Sequence, residues 1–498
     1  MAKTARSFDL TLTPPRRGAV LFRWLCDEIR AAILDGRLKR GTRLPATRQL
    51  AQHYRMSRGT VVTAFEQLHA EGYLEGQTGA GTRVNTLLPE DLLHAKRLIT
   101  GAIGKPESQP LLSEYAQRLK LWPDVTPSPP RAFRALTPAF DAFPLELWAQ
   151  IASRRLRRAT RNLLADVSPR GYRPLREAVA GYLGTARGVK CSTEQVLIVA
   201  GIQQALDLTA RVAVDPGDNI WLEDPCFPLI PAMFNALGAK IVPVSVDECG
   251  LNVSEGRKQC SKARLAYVTP AHQFPLGAIM TVDRRLALLD WARRERAMIF
   301  EDDYDSEYRY SGLPIPALQG LDQRGSVVYA GSFSKVLFPT LRLGYMVVPP
   351  GLVDRFAAAR MIMDRHSSVI DQAILCDFMT EGHFGRHIRR MREIYAGRLA
   401  VLREAVQRKL GGALRIPEVE AGVHTVGYLD KGMSAETVAR TAARNNVEVT
   451  PLSVFALRAP LPEGLLLGFG AVDDRELRRG VDVVAAALEK PAAVTRPN

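Results

Sequence analysis

The chain contains 498 residues, of which 46% are hydrophobic and 24% charged, a balance typical of a globular protein. This length predicts roughly two to four domains. No stretch approaches the roughly 18 uninterrupted apolar residues of a membrane helix, and the N-terminal residues MAKTARSFDL lack an apolar signal core, so we expect a cytoplasmic protein. The six cysteines include no C-x-x-C pair, which argues against a zinc ribbon and a disulfide framework.

The formal net charge of +15 is unevenly distributed. Residues 1–86 hold 2 Lys and 12 Arg against 3 Asp and 4 Glu, an excess of seven positive charges. A folded basic block of this kind indicates a surface for a polyanion, although a merely solvated basic surface would carry the same charge.

The first predicted element is an amphipathic helix over residues 20–35. Leu21, Leu25, Ile29 and Ile33 recur at the spacing of one helical face and form its predicted buried stripe.

Two further helices follow, a short one over residues 47–54 and a longer one capped by Ser57. Val61, Phe65 and Leu68 form the buried stripe of the longer helix. Only two residues separate the helices, which predicts a helix-turn-helix. Beyond them, YLEGQ, a turn at residues 79–81 and TRV predict a two-stranded wing.

In a helix-turn-helix, the second helix enters the major groove led by its N-terminal residues. Arginine can contact guanine edges through two hydrogen bonds, and hydroxyls suit phosphates or bases. A small winged domain that binds protein is the alternative interpretation. The candidate DNA-binding residues are Ser57, Arg58, Thr60 and Thr63 on the second helix, Arg43 and Arg48 near the short helix, and Arg83 in the wing.

Residues 87–130 contain seven prolines and predict a linker, part helix and part extended. An ordered arm packed on one domain is the alternative.

From residue 131 onward, short apolar runs alternate with helical stretches, which predicts an α/β domain with a mostly parallel sheet. We place a larger subdomain at about residues 165–410 and a smaller C-terminal α/β subdomain at about 411–498. The runs lie at residues 196–200, 219–224, 264–270, 297–302 and 326–331.

Lys335 lies in the segment GSFSK. Ser-x-x-Lys also occurs in serine β-lactamases, but their companion motifs S-D-N and K-T-G are absent. The alternative is a lysine that forms a Schiff base with an aldehyde cofactor.

Pyridoxal phosphate needs an acid at its ring nitrogen, a donor at its 3-oxygen, a flat side chain against its ring, and hydroxyls, a helix N-terminus and a cation at its phosphate. Glu301-Asp302-Asp303 could instead bind a divalent cation, and Phe227 could be a core aromatic. We predict no metal site. The candidates are Asp302 for the nitrogen, Tyr304 for the 3-oxygen, Phe227 for the ring face, and Gly201, Ile202, Gln203, Ser332, Ser334 and Arg342 for the phosphate.

These motifs resemble known families. GTRLPATRQLA, MSRGTVVTAFEQL and AEGYL resemble the GntR-type winged helix-turn-helix. SPRGYRPLRE, GIQQALDL, EDPCFP, HQFPLG, EDDYDSEY and GSFSK…RLGY resemble a fold type I pyridoxal-phosphate aminotransferase. The combination resembles the MocR family of transcription regulators, of GabR-like type. The resemblance implies Lys335 as the cofactor-bearing lysine, Asp302 at the pyridine nitrogen, Tyr304 at the 3-oxygen, Arg342 near the phosphate, and a homodimer in which each head meets the partner's body.

The chain departs from the aminotransferase pattern in three places. Phe274 replaces the asparagine of N-P-x-G, so His272 or Gln273 would have to substitute as donor. The stacking position, often tyrosine in this family, is a phenylalanine. Leu466 replaces the arginine that holds the substrate carboxylate, and Arg458 or a linker arginine would have to stand in for it.

The sequence therefore predicts a DNA-binding transcription regulator of the MocR family that depends on pyridoxal phosphate. Its aminotransferase-like domain would sense the cofactor itself, an amine or an amino acid through aldimine exchange, without sustained turnover. The alternatives are a working aminotransferase with a DNA-binding head, and a regulator whose body has lost the cofactor. The expected partners are double-stranded DNA, the small effector and a second copy of the chain, with no membrane.

Overall fold

The computed structural model describes residues 12–14, 20–77, 81–89, 111–122, 129–165, 167–310, 315–458 and 460–489. The chain divides into two compact units, residues 1–111 and 112–498. Residues 112–122, which the sequence assigns to the linker, fall within the second unit. No helix in the described ranges is both long and apolar enough to cross a membrane.

The described residues of the first unit form three helices and a β-hairpin, as the sequence predicts. Residues 79 and 80 of the predicted turn lie outside the described residues, whereas Gly81 is the first residue of the second strand. The elements are α1 (Leu21–Leu34), α2 (Thr47–His53), α3 (Arg58–Ala70), β1 (Leu74–Gln77) and β2 (Gly81–Val84), with the two strands antiparallel.

The core of this unit forms where α1 and α2 pack on α3. Val61, Phe65 and Leu68 are buried there, which confirms the predicted stripe of α3. Ser57 caps this helix, because its Oγ accepts a hydrogen bond from the backbone N–H of Thr60 at 3.0 Å.

The predicted stripe of α1 is wrong at one position. Leu21 is 42% exposed, while Leu25, Ile29 and Ile33 are buried. Leu21 is the first residue of α1, one turn before the first buried residue, so the helix begins ahead of the face that packs on α3.

The second unit is built on an eight-stranded mixed sheet. Its strand order is β3-β10-β9-β8-β7-β4-β5-β6, and the ladder from β5 through β4, β7 and β8 to β9 is parallel, which confirms the prediction. The strands are β3 (Val196–Val199), β4 (Asn219–Asp224), β5 (Lys240–Asp247), β6 (Gly250–Leu251), β7 (Leu265–Val268), β8 (Met298–Asp303), β9 (Val327–Ser332) and β10 (Gly344–Val347).

The helices of this larger part pack on the sheet or on one another, and buried apolar residues of helices and strands form the main cores. They are α4 (Glu114–Arg118), α5 (Leu145–Arg157), α6 (Arg173–Arg187), α7 (Ile202–Ala213), α8 (Leu229–Ala236), α9 (Val253–Gln259), α10 (Val282–Glu295), α11 (Leu318–Leu321), α12 (Phe333–Val336), α13 (Val353–Met363) and α14 (Val369–Thr380).

A long helix leads into a smaller C-terminal part with a four-stranded antiparallel sheet of order β11-β12-β14-β13. This matches the predicted C-terminal strands. The elements are α15 (His383–Leu410), β11 (Leu414–Arg415), β12 (His424–Leu429), α16 (Ala435–Arg444), β13 (Thr450–Pro451), β14 (Gly464–Gly468) and α17 (Asp474–Glu489).

The candidate site lies where parallel strands end, the usual position for ligands in α/β sheets. Strand β8 ends at Asp303, just after Asp302, and β9 ends at Ser332. The short helix α12 follows β9 directly and places Lys335 one turn beyond the edge of the sheet.

Leu68→Ala tests whether the first unit depends on its own core. Leu68 is fully buried, so its truncation is expected to lower the local unfolding free energy of α1 to α3 by about 2–5 kcal/mol. Amide hydrogen exchange, read peptide by peptide, measures this loss. The matched control Glu66→Ala removes an exposed side chain from the same helix and is expected to change that free energy by less than about 0.5 kcal/mol. Equal protection in the two variants would contradict this assignment of the core.

Candidate functional site

A pocket of about 220 Å³ lies at the ends of β8 and β9. It brings together all ten residues that the sequence suggested for a cofactor. They are Gly201, Ile202, Gln203, Phe227, Asp302, Tyr304, Ser332, Ser334, Lys335 and Arg342.

The amine of Lys335 lies inside this pocket. Its Nζ donates a hydrogen bond to the backbone oxygen of Leu136 at 3.0 Å. Burial lowers the pKa of Lys335 to about 8, although the carboxylates of Asp302 and Asp305 act in the opposite direction. About a tenth of the amine is therefore neutral at pH 7, far more than for an ordinary lysine, and the neutral form is the one that attacks a carbonyl carbon.

Asp302 presents a carboxyl oxygen without a partner. Its Oδ2 accepts a hydrogen bond from the Tyr267 hydroxyl at 2.6 Å, whereas Oδ1 is buried and has no hydrogen-bond partner among the described residues. Burial raises the pKa of Asp302 to about 7. A cationic N–H donor in the pocket would satisfy Oδ1 and stabilise the carboxylate, so this residue fits the protonated ring nitrogen of pyridoxal phosphate.

The start of α7 offers a site for the phosphate of the cofactor. Gly201 joins β3 to this helix with φ +133° and ψ 177°, a conformation that strongly favours glycine, and the N-terminus of α7 lines the pocket. The Ser334 Oγ is buried without a partner in the described part of the chain. Ser332 caps α12, since its Oγ accepts from the Ser334 backbone N–H at 3.1 Å, and its own proton stays available. Arg342 also lines this pocket, and it is exposed to solvent.

Four aromatic side chains line the pocket, and two of them are phenylalanines. Phe227 and Phe274 pack edge to face, with ring centroids 5.7 Å apart. Phe227 is only partly buried and lines the pocket, which favours a ring-stacking position over a core aromatic.

The three acidic residues at the end of β8 have separate partners. Glu301 accepts hydrogen bonds from two backbone N–H groups of α11, and Asp303 forms an ion pair with Arg187 at 2.7 Å. In the described ranges no group of three His, Cys, Asp or Glu side chains converges as metal ligands do.

Neither residue suggested in place of the missing asparagine lines the pocket. The Gln273 amide is held by the backbone oxygens of Pro225 and Phe274, at 2.8 and 2.6 Å. The His272 ring instead lies behind Tyr304, with its Nδ1 3.1 Å from the tyrosine hydroxyl.

Leu466 is buried in an apolar cluster with Phe274 and Tyr304. Arg458, suggested as a substitute clamp, lies outside the pocket, with its Nη1 3.4 Å from Gln259 Oε1. Among the described residues, Arg342 is the only arginine that lines the pocket. The linker residue Arg118 pairs with Glu114 instead.

Sequence reasoning missed Tyr267 and Leu136. Tyr267 lies opposite Phe300 in the parallel β7–β8 register. Asp302 lies two residues after Phe300, so Tyr267 and Asp302 are on the same face of the sheet. The available signal in the sequence was a tyrosine within an apolar strand. Leu136 lies 199 residues before Lys335, and no local pattern indicates that contact.

The first unit carries the candidate DNA-binding residues. Thr60 is partly buried, and its hydroxyl lies 2.8 Å from Ser57 Oγ. The others are exposed: Arg43, Arg48, Ser57, Arg58, Thr63 and Arg83.

Arg43 lies beside the wing. Its backbone forms a β-bridge to Arg83, and the neighbouring Leu44 N–H donates to the Thr82 oxygen at 2.9 Å. A Cβ on Gly81 would lie 2.9 Å from the Arg43 Nε. The sequence placed Arg43 only near the short helix α2. The structure also pairs it with the wing, a contact that the local sequence does not reveal.

Two protein families match the chain. The family described as bacterial regulatory proteins, gntR family, matches residues 24–84, and aminotransferase class I and II matches residues 138–484.

Several relatives match this chain over nearly its whole length. The chain is 40% identical over 94% of both chains to the probable rhizopine catabolism regulatory protein MocR of Rhizobium meliloti. It is 31% identical to the pyridoxine biosynthesis transcriptional regulator PdxR of Corynebacterium glutamicum, over 91% of this chain and 93% of the relative. Among solved structures, it is 29% identical to LysN, an α-aminoadipate aminotransferase of Thermus thermophilus complexed with N-(5'-phosphopyridoxyl)-L-leucine, with a TM-score of 0.66 over 72% of this chain and 92% of that one. The chain therefore belongs to the MocR family of transcription regulators, with a GntR-type DNA-binding head and an aminotransferase-like domain for pyridoxal phosphate.

Proposed function

We propose that the aminotransferase-like domain carries pyridoxal phosphate on Lys335 and senses either the cofactor itself or an amine or amino acid that takes the place of the lysine. The observation that carries this proposal is that one pocket holds both a lysine amine of lowered pKa and a carboxyl oxygen without a hydrogen-bond partner among the described residues. When bound, pyridoxal phosphate supplies an aldehyde carbon that amines join covalently.

The pocket residues divide this task. Asp302 would hold the ring nitrogen, Tyr304 would donate to the 3-oxygen, and Phe227 would cover one face of the ring. The start of α7, with Ser332, Ser334 and Arg342, would bind the phosphate.

Sensing is favoured over steady catalysis by the residue at position 466. An arginine clamp would fix the carboxylate of an amino acid in one orientation, whereas Leu466 is an apolar side chain 1% exposed. An amine can still react with the cofactor without such a clamp, but repeated turnover needs a held substrate.

The head would read DNA through α3, with Arg58 at a base edge and Arg43, Arg48 and Arg83 at phosphates or in a minor groove. We further propose a homodimer in which each head meets the partner's body, and a cytoplasmic location. The dimer follows from the family resemblance and provides two heads for a palindromic or direct-repeat site.

We predict that incorporation of pyridoxal phosphate depends on Lys335 and on pH. The visible absorption band of the bound cofactor should appear in the wild type, should be trapped on Lys335 by borohydride, and should be absent from Lys335→Ala. Only the neutral amine attacks, so the rate of band formation should rise about tenfold per pH unit at low pH and level off above the amine pKa of about 8. Lys240→Ala, which removes an exposed lysine, is the matched control. An equally strong band in Lys335→Ala would refute the assignment.

Arg58→Ala and Arg48→Ala should weaken DNA binding differently. The first is expected to lower affinity for the specific site by about 1–3 kcal/mol and to relax the preference at one base. The second is expected to weaken binding to all sequences alike and to reduce the slope of log affinity against log salt by about one. Fluorescence anisotropy with the full chain measures both, with Arg23→Ala on α1 as the control. An unchanged base preference in Arg58→Ala would exclude Arg58 as a base reader.

Multiple turnovers with common amino donors and keto-acid acceptors are expected to be absent, because Leu466 provides no clamp. The measurement is keto-acid formation per cofactor, in which at most one equivalent should form. A sustained rate on the order of 1–1000 per second would instead establish a working aminotransferase.

A further inference from the structure

Tyr304, His272 and Asp305 form a buried chain of polar side chains beside the pocket. The Tyr304 hydroxyl lies 3.1 Å from His272 Nδ1, and the same nitrogen lies 3.0 and 3.1 Å from the two carboxyl oxygens of Asp305. All three residues are buried. Two groups therefore compete for a single ring nitrogen.

One nitrogen cannot satisfy both neighbours in the same way. If Nδ1 carries a proton, it donates to Asp305 and cannot accept from Tyr304. If Nδ1 is unprotonated, it accepts from Tyr304 but turns its lone pair toward the carboxylate. An ionised Asp305 only accepts hydrogen bonds, so it selects the ring form with Nδ1–H.

This choice determines where the Tyr304 proton points. The His272 ring is the only hydrogen-bond partner of the Tyr304 hydroxyl in the described part of the chain. Once Nδ1–H is committed to Asp305, the tyrosine proton has no acceptor there and is free to enter the pocket that Tyr304 lines. Burial raises the pKa of Tyr304 well above its usual value, which keeps the hydroxyl a donor.

We propose that Asp305 and His272 are positioning residues, which hold the Tyr304 hydroxyl as a donor toward the 3-oxygen of pyridoxal phosphate. This inference rests on the proposed role of Tyr304 and supplies a reason for the missing asparagine donor. His272 does not replace that donor directly, and Asp305 acts through the ring. The surrounding titratable groups that interact with the trio are Glu223, Asp302, Asp303, Tyr308, Tyr310, His424 and Lys335.

The test is the pH titration of the absorption band of the Lys335-bound cofactor in the full chain. The 3-oxygen of the cofactor accepts a hydrogen bond from the protonated nitrogen that joins the lysine to the cofactor. A second donor at this oxygen weakens that hydrogen bond and so lowers the pKa of the nitrogen. Asp305→Ala lets Tyr304 donate to His272 instead, so the midpoint should move upward by about one pH unit, the size expected of one hydrogen bond to a charged oxygen. Tyr304→Phe should give the same upward shift.

Two double variants separate positioning from a general structural effect. Asp305→Ala added to Tyr304→Phe should produce no further shift, because the tyrosine through which Asp305 acts is gone. His272→Phe combined with Asp305→Ala removes the competing acceptor, so the midpoint should return to the wild-type value. If Asp305→Ala fails to fold, Asp305→Leu fills the same space without an acceptor and should show the same shift.

The outcomes distinguish this inference from the proposed function. A wild-type chain that never develops the band refutes the cofactor proposal itself. A band with the same midpoint in wild type and Asp305→Ala, or independent shifts that add in the Tyr304→Phe/Asp305→Ala variant, overturns only the positioning role.

Discussion

A lysine amine and an incompletely paired carboxyl group share one largely apolar pocket, and the rest of the effector domain is arranged around that pairing. Burial destabilises the charged form of each group, which is why the pKa of Lys335 falls and that of Asp302 rises. A ligand that takes up the amine covalently and offers a cationic N–H to Asp302 relieves these two penalties together. Binding of such a ligand therefore also stabilises the folded domain, since the unfolded chain offers no such site.

The parallel sheet explains how distant residues reach this pocket. Parallel strands end at a common edge, so Asp302 at the end of β8 and Lys335 after β9 meet although 33 positions separate them. Gly201 turns the chain from β3 into α7 at the same edge, which points a helix N-terminus at the pocket. Charge selectivity thus arises from strand order, with acceptors on one side of the lysine and donors on the other.

Much of this arrangement could be predicted from the sequence, because it depends on local patterns. Apolar runs bounded by turns located the strands, and the ten pocket residues all lie near strand ends or in the segment around Lys335. The contacts that were missed depend on register or on long-range packing. Leu136 meets Lys335 across 199 positions, Arg43 pairs with the wing through backbone hydrogen bonds, and Leu21 lies beyond the face that packs on α3. The periodicity of apolar residues predicts which face of a helix is buried, but not how far along the helix the neighbouring element covers that face.

The Leu136 contact also shows where a chemical change at Lys335 first meets the rest of the fold. The backbone oxygen of Leu136 accepts from the lysine amine, and this residue holds a left-handed φ of +58°, which is uncommon for leucine. The same segment is tied to the C-terminal part through the β-bridge of Phe133 to Gly468 and the ion pair of Arg134 with Glu448 at 2.7 Å. In the proposed function, an effector that takes the place of the lysine on the cofactor would change the charge of the donor to Leu136. An effector can shift a conformational equilibrium only by its differential affinity for the two states, so under the proposed function the lysine–Leu136 hydrogen bond is one contact through which such a difference would arise.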